Sequence, residues 1–353
     1  MAGWRVFQRK DALLAFLVLL LAGLLMERFG GEETTLRWLD VAPPALQEAC
    51  EAASPATSLP VELAHTGALL QQVELASLPS PGKPVRFLML NVQNYFVEGE
   101  RQRSRYVLKP KKIESREAVA AIIAESKAEI VGLIEIGGPL ALIDLRKRLA
   151  ARGVEYPYFR VLPRQGEDRA LAILSMHPIV QDHSQAQVRL HRQKRRHMLR
   201  GILDVTVRLE DKRLFRLIGA HLKSRVADDA AAAAALRKQE AYTLALHIQH
   251  VSRTQKGMPL LVFGDWNDAP VDVAPRLLQQ GLSADAALHR LSPRDSRGEE
   301  WTLYFRRGRQ YCLYDQIFVN SVLRKRMRGQ GGIVDSPHAA HASDHRALWC
   351  DLR

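Results

Sequence analysis

Cysteine is scarce in this sequence: Cys50, Cys312 and Cys350 are the three among 353 residues. That excludes a disulfide framework and a four-cysteine zinc site. Aromatic residues make up 7%, and long apolar runs are confined to one place near the N-terminus, which excludes a multispanning membrane protein. Acid is short against base: 38 Asp and Glu face 51 Lys and Arg, a formal net charge of +13. This excess favours acidic partners such as nucleic acid, anionic lipid headgroups or phosphorylated small molecules. The rest is the balance of a folded globular chain, with 47% hydrophobic and 25% charged residues. The length suits one large domain or two small ones.

The single apolar run is Ala12 to Met26, preceded by Arg5, Arg9 and Lys10. A basic flank before such a run marks a secretory signal or a signal anchor. Residues 1–31 are expected to be that signal or membrane anchor. No small-x-small cleavage site follows, which favours an anchor. The flanking charges place the N-terminus in the cytoplasm. The expected location is therefore the cell membrane with the remaining chain outside the cytoplasm, or a periplasmic or secreted form. Residues 32–84 read as a spacer, punctuated by Pro43, Pro44, Pro55, Pro60, Pro79, Pro81 and Pro84, with a short helix expected near 61–78.

From Val85 the texture changes. Short apolar runs predict buried strands over 85–90, 130–134, 170–174, 202–207, 214–220, 260–263, 316–319 and 347–350. Helical patterns cover 115–126, 140–150 and 229–251. Strands mixed irregularly with helices predict an α/β sandwich in one domain, residues 85–353. No internal repeat is visible in the sequence.

Several of these strands end in residues a core does not want. The first runs into Asn91, the second into Glu135, the fifth into His221 with Lys223 just beyond. Phe263 leads to Gly264-Asp265-Trp266-Asn267-Asp268. Asp315 opens another strand, and Ser343-Asp344-His345 precedes the last. Each alone is explained as a strand-end cap or a turn residue. Together, hard oxygen donors converging at one edge suit Mg²⁺ or Mn²⁺, with Ca²⁺ as a further candidate, and two histidines beside carboxylates supply acid/base groups.

With the segments LNVQN, IVGLIEI, ALAILS, IGAHLKSR, VFGDWND, LYDQIFV and ASDHRAL in this order, the sequence resembles the endonuclease/exonuclease/phosphatase superfamily. That group includes deoxyribonuclease I, abasic-site endonucleases, neutral sphingomyelinases and inositol-polyphosphate phosphatases. The resemblance implies a four-layer sandwich of two mixed β-sheets packed face to face with helices outside. It also implies divalent-metal-dependent phosphoester hydrolysis. Asn91 and Glu135, helped by Asp344, take the place of the metal ligands. Asp265 and Asn267 resemble the pair that orients the attacking water and contacts the phosphate. His345 resembles the general base or an electrostatic partner of the phosphate, and Asp315 the carboxylate that orients it. His221 resembles a second histidine that polarises the phosphate or protonates the leaving oxygen. One or two ions fit the family pattern. Two departures stand out: Trp266 replaces a commoner Phe, and Arg346-Ala347 replaces a segment that often carries proline.

Substrate is not chosen by this resemblance. Basic stretches at 101–112, 189–200 and 324–328 could track a phosphate backbone or rest on anionic lipid; Lys223 and Arg200 are the expected substrate contacts. Aromatics are sparse within these stretches, so base stacking is not expected from them. The leading expectation is a nuclease with nucleic acid as substrate, the N-terminal segment being its contact with the membrane. The alternatives are a phosphodiesterase or phosphatase for lipid or small phosphoesters, and a catalytically inactive binding protein on the same fold. Oligomeric state is unknown from the sequence.

Overall fold

The structure is a computed structural model that describes residues 83–98, 109–164, 166–191, 195–306, 308–329 and 331–353. These all belong to the second of two units into which the chain divides, Pro79–Arg353. The expected signal or anchor at 1–31, nearly all of the 32–84 spacer and the basic residues 101–105 lie outside the described residues. Among the described residues no helix is long and apolar enough to cross a membrane.

The first sheet contains β1 (Val85–Tyr95), β2 (Ile130–Ile136), β3 (Tyr158–Arg164), β4 (Glu167–Ser175), β13 (Gly332–Ile333) and β14 (Leu348–Leu352), in the order β13-β14-β1-β2-β4-β3. The second contains β5 (Ile179–Asp182), β6 (Leu203–Arg208), β7 (Leu214–His221), β8 (Leu260–Asp265), β9 (His289–Arg290) and β12 (Asp315–Val319), in the order β5-β6-β7-β8-β12-β9. A small hairpin, β10 (Leu303–Phe305) with β11 (Gln310–Cys312), stands apart from both. The helices are α1 (Ile113–Ser126), α2 (Pro139–Ala150), α3 (Ala230–Thr254), α4 (Val273–Gln280), α5 (Ser321–Arg326) and α6 (Ala339–Ala342).

Each sheet is built around one parallel pair joined by a helix. β1 runs parallel to β2 through α1, and β7 runs parallel to β8 through α3. Antiparallel neighbours flank each pair, β14 and β4 in one sheet, β6 and β12 in the other. The two halves thus repeat one connectivity that the sequence does not display.

Burial explains the layers. The facing sides of the sheets supply Phe87, Met89, Ile134, Ile173, Val205, Leu217, Phe263, Ile317 and Leu348 to a central core. The outer side of the first sheet packs Leu88, Val131 and Leu133 against Val119, Ile123 and Leu145 of α1 and α2. The outer side of the second packs Ile218, Val262 and Phe318 against Leu244 and Ile248 of α3 and Leu278 of α4. Strands buried on both faces need continuous apolar runs rather than alternation, which is how β2 and β8 read. α3 starts where Asp229 accepts the Ala232 N–H at 2.8 Å, a side-chain N-cap. Phe263 fixes the spacing at the centre of the sandwich. A Cβ added at Gly132 would lie 2.4 Å from its ring, and one at Gly219 2.7 Å, so only glycine admits the close approach. The four-layer sandwich expected from the resemblance is the observed fold.

Candidate active site

The topology delivers the polar strand ends to one edge. β1, β2, β7 and β8 run in the sense that puts Asn91, Glu135, His221 and Asp265 at or near their C-terminal ends, while antiparallel β12 opens with Asp315 and the segment before β14 carries Asp344 and His345. Two of these ends are bulged. The β1–β2 register shifts between Asn91 and Tyr95, and the β2–β4 register shifts between Ile134 and Ile136. Gln93, Asn94, Glu135 and Asn267 all have positive φ, 44°, 52°, 65° and 51°. Non-glycine residues pay for that conformation, and here the irregularities lie beside the polar cluster, where bulges re-aim side chains.

The side chains meet. Asp265 is the hub: its Oδ2 accepts from Asn91 Nδ2 at 3.1 Å and lies 3.6 Å from His221 Nε2 and 4.0 Å from His345 Nε2. Its Oδ1 accepts the backbone N–H of Asn267 at 2.9 Å. Glu135 Oε1 is 3.8 Å from His221 Nε2, and its Oε2 accepts the Asn94 N–H at 3.0 Å. His345 Nδ1 and Asp315 Oδ2 are 2.6 Å apart, and His345 Nε2 is 3.9 Å from Asp344 Oδ1. Asn267 Nδ2 donates to the Leu222 carbonyl at 3.1 Å. Thus all eight residues expected as metal-binding or catalytic fall in one neighbourhood. Donor atoms of Asp265, Asp315 and His345 all lie within 4.8 Å of one another.

The two histidines are driven to opposite charge states. Burial opposes charge on His345, but Asp315, with Asp265 and Asp344, outweighs it and holds the pKa up at about 10. His221 is pushed well below its usual value by burial and by the positive charges of Arg200, Arg169, His345 and Lys223. Asp265 is pushed up to about 7, first by burial and then by the negative charge of Asp315. A carboxyl near 7 and a charged histidine beside a neutral one form the kind of split that assigns acid and base roles.

Not every expected contact is offered to a substrate. Arg200 is buried, donates to the Leu222 carbonyl at 3.3 Å and sits 3.3 Å from Glu167 Oε2; it acts on His221 through its field. The backbone N–H of Lys223 donates to Glu240 at 2.7 Å, and its side chain contributes charge near His221. Sequence reasoning missed Lys111 as a site residue. Its Nζ donates to the Gln93 carbonyl at 3.2 Å, and burial draws its pKa down to about 8 against the pull of Asp344 and Glu135. It also missed Ser343, whose Oγ donates to the Asn91 carbonyl at 2.7 Å and accepts the His345 N–H at 3.0 Å. Ser343 lies inside the Ser343-Asp344-His345 motif and Lys111 in the basic stretch 101–112, but no feature of the sequence marks either as a part of the site. Trp266 is fully buried, edge-on to Phe318 with ring centroids 5.6 Å apart; the departure from Phe fills the core beneath the site.

The Endonuclease/Exonuclease/phosphatase family profile matches residues 91–345. The chain belongs to this family. Members of the endonuclease/exonuclease/phosphatase family are hydrolytic phosphoesterases, in general dependent on a divalent metal. Solved structures agree on the fold. The family protein from Bacteroides vulgatus superposes with a TM-score of 0.56 at 15% identity, covering 77% of this chain and 99% of that one. The human Nocturnin catalytic domain with bound sulfate gives 0.52 at 17%, covering 76% and 94%. D. rerio TDP2 complexed with single strand DNA product gives 0.52 at 15%, covering 76% and 99%. No curated protein sequence matches the chain.

The residues fit the metal that the family uses. Among the described residues, Asp315 Oδ1 and Asp344 Oδ1 are buried without a hydrogen-bond partner, a costly state for a carboxylate oxygen unless a cation meets it. The donors are carboxylate, amide and imidazole, which suits Mg²⁺ or Mn²⁺ better than a soft ion.

Proposed function

We propose that this protein is a divalent-metal-dependent phosphodiester hydrolase acting on nucleic acid outside the cytoplasm. The observation that carries the chemistry is the buried cluster in which Asp315 holds His345 at 2.6 Å while both face Asp265. The net charge of +13 supports a polyanionic substrate,. TDP2, one of the structural neighbours, is complexed with single strand DNA product.

In this reading Glu135, Asn91 and Asp344 would hold the ion, and Asp265, Asp315 and His345 serve the reacting groups. A divalent ion held there would supply positive charge beside the phosphoryl oxygens and lower the pKa of a bound water. Asp265, with its raised pKa, takes the proton of the attacking water that Asn267 helps to orient. His345, kept charged by Asp315, faces the phosphate with its Nε2–H, neutralises the charge that develops there and gives its proton to the leaving oxygen as the ester bond breaks; the proton that Asp265 took from water restores the imidazolium,. Neutral His221 presents Nε2 to the same point from the opposite sheet. Water attacks directly; among the described residues no cysteine joins the cluster, Cys312 lying in β11 and Cys350 buried in the core with its thiol pKa pushed up by burial.

The test is a panel of plasmid DNA, single-stranded DNA, RNA, sphingomyelin and phosphatidylinositol phosphates, each with Mg²⁺, Mn²⁺ or Ca²⁺. Metal-dependent cleavage of nucleic acid supports the proposal. Turnover of only the lipid substrates replaces it with the lipid phosphoesterase alternative, and no turnover with any leaves the inactive binding protein. The location rests on the basic flank and apolar run at 12–26. Fractionation with N-terminal sequencing should find the chain at the membrane starting at Met1; a full-length chain in the cytosol would refute export.

A further inference from the structure

The hairpin of β10 and β11 is tied to the catalytic histidine. Leu303 bridges His345, Tyr304 N–H donates to the Asp344 carbonyl at 3.1 Å, and Arg346 N–H donates to the Thr302 carbonyl at 2.7 Å. Thr302 Oγ1 accepts the backbone N–H groups of Tyr314 and Asp315, each at 3.1 Å. The hairpin is therefore held in a fixed relation to the Asp315–His345 pair.

An aromatic cluster covers it. The Trp301 and Tyr311 rings are 4.8 Å apart between centroids, and Tyr304 and Tyr311 are 5.0 Å apart. The guanidinium of Arg346 lies 4.3 Å from the Trp301 ring centroid. The cluster is open to solvent: Tyr311 is 65% exposed, and Trp301, Tyr304 and Phe305 are half-buried. Residues 303–312 contain three arginines and no acid; Arg306 and Arg309, near the turn, are exposed.

We propose that this hairpin is a stacking platform for unpaired bases beside the scissile phosphate, so that the enzyme prefers single-stranded nucleic acid, or a splayed end, to duplex. The proposal rests on the nuclease reading above and names its substrate class. An exposed aromatic face flanked by guanidinium groups matches a base attached to a phosphate backbone. A duplex cannot use such a face without unstacking, because its base faces are already covered. A lipid surface fits less well. Seating the hairpin in a membrane would desolvate Arg306 and Arg309. Trp301 is not free to insert: its indole N–H donates to Glu299 at 2.7 Å and Arg346 covers one face. Stacking was not legible in the sequence because these aromatics lie outside the three basic stretches; the fold sets them beside the reacting groups.

The test uses the full-length protein with Mg²⁺ and a labelled, nuclease-resistant phosphorothioate oligothymidine, read by fluorescence anisotropy. Tyr311→Ala should weaken single-strand binding by about 5- to 150-fold, the range for one lost stacking contact. Tyr311→Phe should bind like the parent, and duplex binding should change little in either variant. Hydrolysis of an oligonucleotide of abasic (tetrahydrofuran) units, which has no base to stack, should be equal in all three proteins. Unchanged single-strand affinity in Tyr311→Ala overturns the proposal. So does a loss confined to anionic phospholipid vesicles, which would make the hairpin a membrane contact. Ring-dependent strand binding without any phosphodiester hydrolysis would sink the nuclease reading and keep the platform. Hydrolysis with ring-independent strand binding would do the reverse.

Discussion

If Asp315 acts on the reaction through His345, as proposed, a double-mutant cycle separates that role from metal binding,. The contact is 2.6 Å between Asp315 Oδ2 and His345 Nδ1, both buried. A hydrogen bond to a charged partner contributes about 1.5–3 kcal/mol. At roughly 1.36 kcal/mol per tenfold in rate, Asp315→Asn should lower kcat by about 10- to 150-fold. The amide can also present its NH₂ to Nδ1 and select the other tautomer, which acts in the same direction. His345→Ala removes the acting group itself and should cost about 10²–10⁴-fold. If Asp315 works only by holding His345, the double variant is no slower than His345→Ala alone, because residues acting as one unit are not additive. The assay is single-turnover hydrolysis of the best nucleic-acid substrate at saturating metal, with metal affinity measured separately by calorimetry. A double variant that loses the product of the two single effects would refute this reasoning. It would show Asp315 acting independently, as expected if its unpartnered Oδ1 is a metal ligand.

Glu135→Gln should weaken metal binding while His345→Ala largely keeps it, measured by calorimetric titration with Mn²⁺; the opposite pattern would place the principal ion among Asp265, Asp315 and His345. Asp204 is buried in β6, with Arg216 at 2.7 and 2.6 Å and His247 at 2.7 Å. Burial opposes its charge, but the His247 and Arg216 hydrogen bonds outweigh it and hold its pKa below the usual carboxylate value. The stabilisation is complete above the unfolded-chain pKa and is lost as pH falls through the folded value. Urea unfolding across that acid range should show a slope that Asp204→Asn removes, at a cost of about 3–5 kcal/mol near neutrality; an unchanged slope would contradict it. Gly132→Ala should destabilise by about 1–3 kcal/mol, because its Cβ would meet the Phe263 ring at 2.4 Å; a thermal midpoint equal to the parent's would show that the ring can move.

The strands that the sequence announces are those buried on both faces. Ile130–Ile136 and Leu260–Asp265 carry continuous apolar runs, so their existence follows from composition alone, and the structure extends each past the apolar run into the polar site residues. β3 went unpredicted because it is an edge strand. Its sequence YFRVLPR breaks short apolar stretches with Arg160 and Arg164 and includes Pro163, features that an edge tolerates and a centre does not,. β9, β10, β11 and β13 are two or three residues long, too short for any periodicity to register.

The site divides along the same line. Asn91, Glu135, His221, Asp265 and Asp315 were legible because each interrupts an apolar run with a group that costs free energy to bury. What was not legible is whatever depends on register or on crossing between sheets. The positive φ of Glu135, the bulge that turns its carboxylate toward Asn94 N–H, and the approach of Lys111 to Gln93 leave no mark in composition. The same holds for the hairpin on His345. Its three-residue strands are held by Thr302, whose hydroxyl and carbonyl serve Asp315 on one side and Arg346 on the other. Arg346 follows His345 directly, and its guanidinium is clamped between Asp295 at 2.8 Å and Asp335 at 3.0 Å while it covers Trp301. One buried, ion-paired arginine thus anchors the chain next to His345 and seats a ring of the aromatic cluster beside it.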